Sequence, residues 1–325
     1  MCKDNTLKEE GLKMEKTNNK TILLMLLSSI FWAGAFIGGK LAVEEFPPFS
    51  LTFLRFFFAS IVIFPVMVKY EKKNWHLKRE DYPVMMFLGL VGMVGYHILF
   101  FIALKYTSAV NASMIAAINP LLTTILASIF LDEKLGLLRI GAIIIALIGV
   151  VITISRGDLS VIQSFSFNRG DIIMIIAVSC WAIYSIVSRR VMGKYSPLIL
   201  TCYSFILCTI FTFPFALLER PDVFLGNTSI LGWSSVLYMA IFPSTIGYLV
   251  QQTSIKELGA SKTAIFINLV PVFSMLLSVI ILREKVSTIT IIGGILIVAG
   301  VYLTTRLKDS YNLNKLFKTP EKAKQ

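Results

Sequence analysis

Charge is scarce in this chain. Only 15% of its 325 residues are Asp, Glu, Lys or Arg, against 56% that are apolar. That shortage excludes an ordinary soluble domain, in which about a quarter of residues are charged. Acid is scarcer still, 19 residues against 31 basic ones. The long apolar runs contain no Asp or Glu, and Asp171 only marks the end of one. Coupling to protons or sodium through a deeply buried carboxylate therefore has no candidate, which leaves facilitated diffusion, exchange or potential-driven flux. Histidine occurs twice, at His76 and His97. The four cysteines, Cys2, Cys180, Cys202 and Cys208, have no metal-ligand spacing, and three lie in apolar runs. A zinc site and a disulfide framework are both unsupported, and no metal or cofactor is implied.

What is present is apolar length. Mean hydropathy is +0.76, and stretches long enough to span a bilayer recur about ten times. They fall near 21–43, 49–68, 83–104, 108–131, 138–155, 171–188, 196–218, 230–252, 261–282 and 288–305. Pro48, Pro197 and the neighbourhood of Gly136 mark loops or helix starts. The expected class is an all-α integral membrane protein of ten transmembrane helices. Residues 1–20 and the basic segment 307–325 read as solvated cytoplasmic tails. Ala33-Gly34-Ala35 imitates a signal-peptide cleavage site, but the apolar run continues to Val43. The net charge of +12 does not imply nucleic acid, because the basic residues occupy short loops and tails. Their placement sets orientation. With the amino terminus inside, 23 Lys and Arg fall on the inner side and six on the outer, leaving Lys40 and Arg55 within spans. That bias puts both termini in the cytoplasm.

The chain also matches itself, and such a repeat bears on every later reading. Trp32, Lys40, Pro48 and Pro65 recur 149 residues on as Trp181, Arg189, Pro197 and Pro214. Ala109, Pro120, Glu133, Lys134 and Gly149 recur 151 residues on as Ala260, Pro271, Glu284, Lys285 and Gly300. Two five-helix repeats, 21–155 and 171–306, follow. Five is odd, so the second repeat enters the membrane from the opposite face. Inverted repeats of this kind place a transport path at their interface.

These same residues carry a family resemblance over about residues 20–306. Trp32-Ala33-Gly34 with Lys40, Arg55-Phe56, Asn119-Pro120, Leu131-x-Glu133 and Gly149, echoed by Trp181-Ala182, Pro271 and Leu282-x-Glu284, resemble the drug/metabolite transporter superfamily, with two EamA-type halves. The resemblance implies a bacterial or archaeal inner-membrane carrier, usually an exporter of amino acids or other small metabolites. The second half departs from the pattern: Val270 stands for Asn119 and Ser204 for Arg55.

Several residues are candidates for the path. Pro120 and Pro271 lie mid-span, where each removes a backbone bond and frees the carbonyl of Ala116 or Ile267. Such kinks are also common as plain packing features. Trp32 and Lys40 lie on one stripe of the first span, and Trp181, Tyr184 and Ser188 on one of the sixth. Tyr96 is on the third, Tyr248 and Gln251 on the eighth, Asn111 and Asn119 on the fourth, and Asn268 on the ninth. Polar groups in lipid are costly, so these face the bundle interior. They either line a path or bond helix to helix at about 1 kcal/mol or less per pair. Lys40 and Arg55 could attract a substrate carboxylate near the outer mouth, or simply anchor, with Lys40 paired to Glu44 one turn on. His97 is a lone intramembrane histidine, more often a satisfied polar group than a proton carrier.

Rival readings are weaker. Gly34 to Lys40 imitates a phosphate-binding loop, but Leu41 replaces the required hydroxyl. Gly34 and Gly38 read instead as small residues for close helix contact. Asn227-Thr228-Ser229 is a glycosylation signal only in a eukaryotic host. A membrane enzyme lacks a carboxylate pair or histidine cluster. A channel and a sugar-phosphate or nucleotide-sugar exchanger remain as alternatives, the exchanger expecting more buried cations for phosphate. The partners implied are a small-molecule substrate and the lipid bilayer, and a homodimer stays open.

Overall fold

The computed structural model describes residues 2–72, 75–130, 136–158, 160, 167–191, 194–251, 254 and 266–306. All regular structure among them is helical. Eight helices are long and apolar enough to cross a membrane: Lys20–Ala42, Pro48–Glu71, Arg79–Tyr106, Ala109–Leu126, Leu137–Ser155, Arg169–Ser188, Pro197–Leu218 and Ile230–Gln251. Two shorter apolar helices, Val270–Leu282 and Thr288–Leu303, follow as the ninth and tenth spans. The outer surface is apolar, with Ile144, Ile148, Ile295 and Leu303 among many exposed large side chains, as a lipid solvent requires. The first helix begins at Cys2, so the polar amino-terminal segment is helical. The expected carboxyl-terminal tail, Glu133 and Lys134 lie outside the described residues.

The inversion of the repeats is visible in two reciprocal pairings. In the first, the Glu219 carboxylate at the end of the seventh span accepts the amide N–H of Phe49 (3.2 Å) and of Ser50 (2.7 Å) at the start of the second. At the other end of the pair, Glu71 accepts the hydroxyl of Ser196, which caps the seventh span by accepting from Ile199 N–H. Each helix therefore finishes the other's start, where backbone donors have no partner within the helix and negative charge is favoured. In the second pairing, a Cβ on Gly149 would come within 2.7 Å of Gly293 O and Ile297 N. One on Gly300 would come within 2.6 Å of Ala146 N and 2.7 Å of Ala142 O. The fifth and tenth spans thus run antiparallel with backbones in contact, the close approach that small residues permit in lipid. Gly34 and Gly38 act likewise, packing on Tyr238 and Met239.

The fourth span, expected as one helix over 108–131, is two. Ala109–Ala116 ends in a turn at Ala117 and Ile118, and Asn119–Phe130 restarts. Proline at position 120 has no N–H to give, and the preceding amides tighten instead, with Ile118 N–H bonding Ile115 O at 3.1 Å. The ninth span breaks at Asn268 and Leu269, just before Pro271, 151 positions on. The third and eighth spans carry a feature that periodicity does not reveal. Each contains a π-helical segment, Leu88–Gly95 and Ala240–Gly247, at matching places in the two repeats. Such widened turns are frequent at functional sites.

Candidate substrate path at the repeat interface

The widened turns aim aromatic side chains inward. Tyr96 and Tyr248 follow directly after the two π-helical segments, and both line a central cavity of about 180 Å³. Trp32 and Trp181 line it from the first and sixth spans. Trp181 lies 5.1 Å from Tyr96 and 5.9 Å from Tyr248, ring to ring, and Trp32 meets Tyr248 edge-on at 6.5 Å. The two indoles differ in one bond. Trp32 Nε1–H donates to Pro243 O at 3.0 Å, a carbonyl within the π-helical turn, whereas Trp181 N–H has no partner among the described residues. Below 300 Å³ the space suits a metabolite rather than a drug-sized solute, for which about 300–1,000 Å³ is usual.

Polar groups converge on this aromatic box from three further spans, the second, fourth and ninth, and from the third and eighth as well. Arg55 reaches in from the second, 4% exposed, with Nε–H donating to Ser244 Oγ on the eighth at 3.0 Å. Its guanidinium lies over the rings of Phe56 (5.4 Å) and Phe101 (6.0 Å), contacts in which aromatic faces favour a cation. His97 places Nδ1 2.9 Å from Met93 O, so that nitrogen carries the proton and Nε2 is left as an acceptor. Both breaks open onto the same space: Ala116, Ala117, Asn119, Ile267, Val270 and Pro271 all line it, as does Gln251. The two carbonyls that the prolines free, those of Ala116 and Ile267, belong to cavity-lining residues.

Other candidates lie elsewhere. The Lys40 ammonium donates to Leu104 O (2.6 Å) and Thr107 O (3.0 Å). It caps the carboxyl end of the third span and does not pair with Glu44, because backbone acceptors at a negative helix end are nearer. Asn111 is buried beside the Asp171 carboxylate, which accepts from the Thr107 hydroxyl. Tyr184 stacks on Trp181 from behind, over Gly92. Ser188 donates to Ser185 O. Asn268 sits with Pro271 on a second cavity, of about 430 Å³, whose other walls are mainly apolar side chains of the ninth and tenth spans. Pro120 does not line the central cavity, although the break it causes does.

Sequence reasoning missed the carboxylates that fasten helix starts. Beside Glu219 and Glu71, Glu45 accepts from Ser229 N–H (2.6 Å), and Glu284 accepts from Ala109 N–H (2.9 Å) and Val110 N–H (3.3 Å). The recurrence of Glu284 was a signal, but its target lies 175 residues away. The π-helical segments of the third and eighth spans were signalled only by glycine around Leu88–Gly95 and by Pro243, and a third such segment, Ser278–Leu282, ends the ninth span away from the cavity.

A polytopic helical protein with two inverted repeats around an aromatic cavity has the architecture of a membrane transporter. The model of the EamA-like transporter family matches residues 19–155 and 168–306, and the chain belongs to that family. Among its relatives is the uncharacterized transporter YyaM of Bacillus subtilis, 36% identical over 86% of this chain and 92% of that one. An uncharacterized transporter of Archaeoglobus fulgidus is 32% identical over 89% of this chain and 98% of its own. A probable terminal-alkyne amino-acid exporter of Streptantibioticus cattleyicolor is 23% identical over 89% and 94%. A crystal structure sharing 21% identity superposes with a TM-score of 0.63 over 88% of this chain and 96% of that one, which shows a common fold.

Proposed function

We propose that this transporter is a secondary carrier that exports small metabolites such as amino acids across the cytoplasmic membrane by alternating access. One observation carries the reading: the cavity is assembled from equivalent parts of both repeats. Both tryptophans, both tyrosines after the π-helical turns and both proline breaks meet there. Rocking one repeat against the other would expose such a site to each side in turn. Amino acids and export are supported by the name of the Streptantibioticus relative and by a lining that mixes rings, amides and one cation. The excess of Lys and Arg in alternate loops supports cytoplasmic termini.

The test begins with cells overexpressing the protein, challenged with toxic amino-acid analogues. Raised tolerance to a subset is expected, followed by counterflow of the corresponding amino acid in proteoliposomes. Single-channel currents without counterflow would overturn the carrier reading. Unchanged tolerance, with inward accumulation of label, would overturn export.

A further inference from the structure

Arg55 is the one fixed charge among the described residues lining the cavity. Its Nε–H is used by Ser244, itself fully buried. Its terminal nitrogens bond to no described residue. The ionisable groups around it are Tyr96, Tyr248, Cys208 and His97, none of them a carboxylic acid. A guanidinium keeps its proton at any physiological pH, and burying one without a partner is expensive. Most buried arginines meet that cost with an acid on a neighbouring helix. Here the described neighbours supply rings, hydroxyls, a thiol and an imidazole, and the open end of the fork faces the cavity.

We infer that the missing partner is the solute: Arg55, aligned by Ser244, binds a carboxylate carried by the transported molecule. The two terminal nitrogens present parallel N–H bonds, a spacing that fits two carboxylate oxygens. One cation with one donor already committed suits a single negative charge, not a phosphate dianion. The rest of the molecule lies against Trp181, Tyr96, Tyr248 and Phe100, so an apolar or aromatic body is favoured. Should the solute also carry an ammonium, Asn119 and the freed carbonyls of Ala116 and Ile267 provide acceptors. The site is one-sided, because Ser204 occupies the position equivalent to Arg55. A solute therefore binds with its acid end toward the second span.

This inference rests on the carrier reading but can fail separately from it. The experiment is a binding titration on the purified full chain with three acid and amide pairs: L-phenylalanine and its amide, L-leucine and its amide, phenylacetate and phenylacetamide. At least one acid should bind roughly 10- to 100-fold more tightly than its amide, the range expected for a hydrogen bond to a charged group. Arg55→Gln should erase that preference, Arg55→Lys should keep part of it, and Ser244→Ala should reduce it several-fold. Should Arg55→Gln fail to fold, the Ser244→Ala and wild-type titrations still decide. Equal affinity within every pair, or no acid bound by the wild type, overturns the inference. Acids that bind without counterflow would leave it standing and remove the carrier reading. Counterflow of an amide as fast as its acid would do the reverse.

Discussion

The two repeats are built alike where they hold the protein together and frame the cavity, and unlike at a few polar groups inside it. Gly149 and Gly300 do the same work from the two sides of one helix contact, and the Glu219 and Glu71 caps answer each other across another. Among the polar groups of the cavity the correspondence gives way. Arg55 lines it where its counterpart is Ser204, and Asn119 stands opposite Val270. Trp32 spends its N–H on Pro243 O, while that of Trp181 bonds to no described residue. The lesson is that the duplicated scaffold keeps its symmetry while the polar lining does not. The proposed binding of an asymmetric solute draws on the few positions where that symmetry is broken.

The comparison can be broken most forcefully at the glycines. Gly149→Leu and Gly300→Leu should each cost about 3 kcal/mol or more, because overpacking against rigid backbone has no soft neighbour to yield. Thermal unfolding in detergent reads this, and a large loss from one glycine alone would end the claim of equivalence. The reciprocal caps predict a smaller and unequal pair. Glu219 serves two amides and the Ser50 hydroxyl, whereas Glu71 serves one hydroxyl. Glu219→Ala should cost about 2–3 kcal/mol and Glu71→Ala about 1 kcal/mol in the same assay.

The tryptophans sharpen the contrast further. Trp32→Phe removes a bond the fold uses and should lower stability by about 1 kcal/mol. Trp181→Phe should leave the melting temperature unchanged yet alter counterflow. Equal thermal losses would contradict the division of labour. The smallest effect on stability is expected from Asn119→Val, which makes the two breaks alike: a shift within about 0.5 kcal/mol. Its signature is a changed order of preference among transported amino acids, and an unchanged order would remove Asn119 from the recognition surface.

Much of the scaffold was legible in the sequence because it is periodic. The ten apolar runs, the recurring tryptophans and the two mid-span prolines each leave a mark at fixed spacing. The cavity was half legible. Trp32, Arg55, Tyr96, His97, Asn119, Trp181, Tyr248 and Gln251 line it. Lys40, Asn111, Tyr184, Ser188 and Asn268 are equally polar but turn to helix ends, neighbouring side chains or the second cavity. Helical spacing tells which residues share a stripe, not how far a stripe extends before a neighbouring span covers it. The π-helical turns were hidden for a related reason, since one widened turn shifts the stripe by a residue without changing composition. Capping of a helix start by a distant carboxylate leaves little periodic trace, the recurrence of Glu284 aside, which is why the glutamate caps went unseen.

Those caps also bear on how the protein is made. The start of the second span emerges early in synthesis, yet the carboxylate that completes it, Glu219, lies 169 residues downstream of Ser50. Until that stretch of chain has been translated and inserted, the first repeat holds a helix end with unanswered donors. A nascent chain stopped between the repeats is thus an unfinished object rather than a small carrier. Its exposed amides would be open to pairing with a neighbouring copy, to degradation, or to whatever insertion machinery keeps it waiting for its other half.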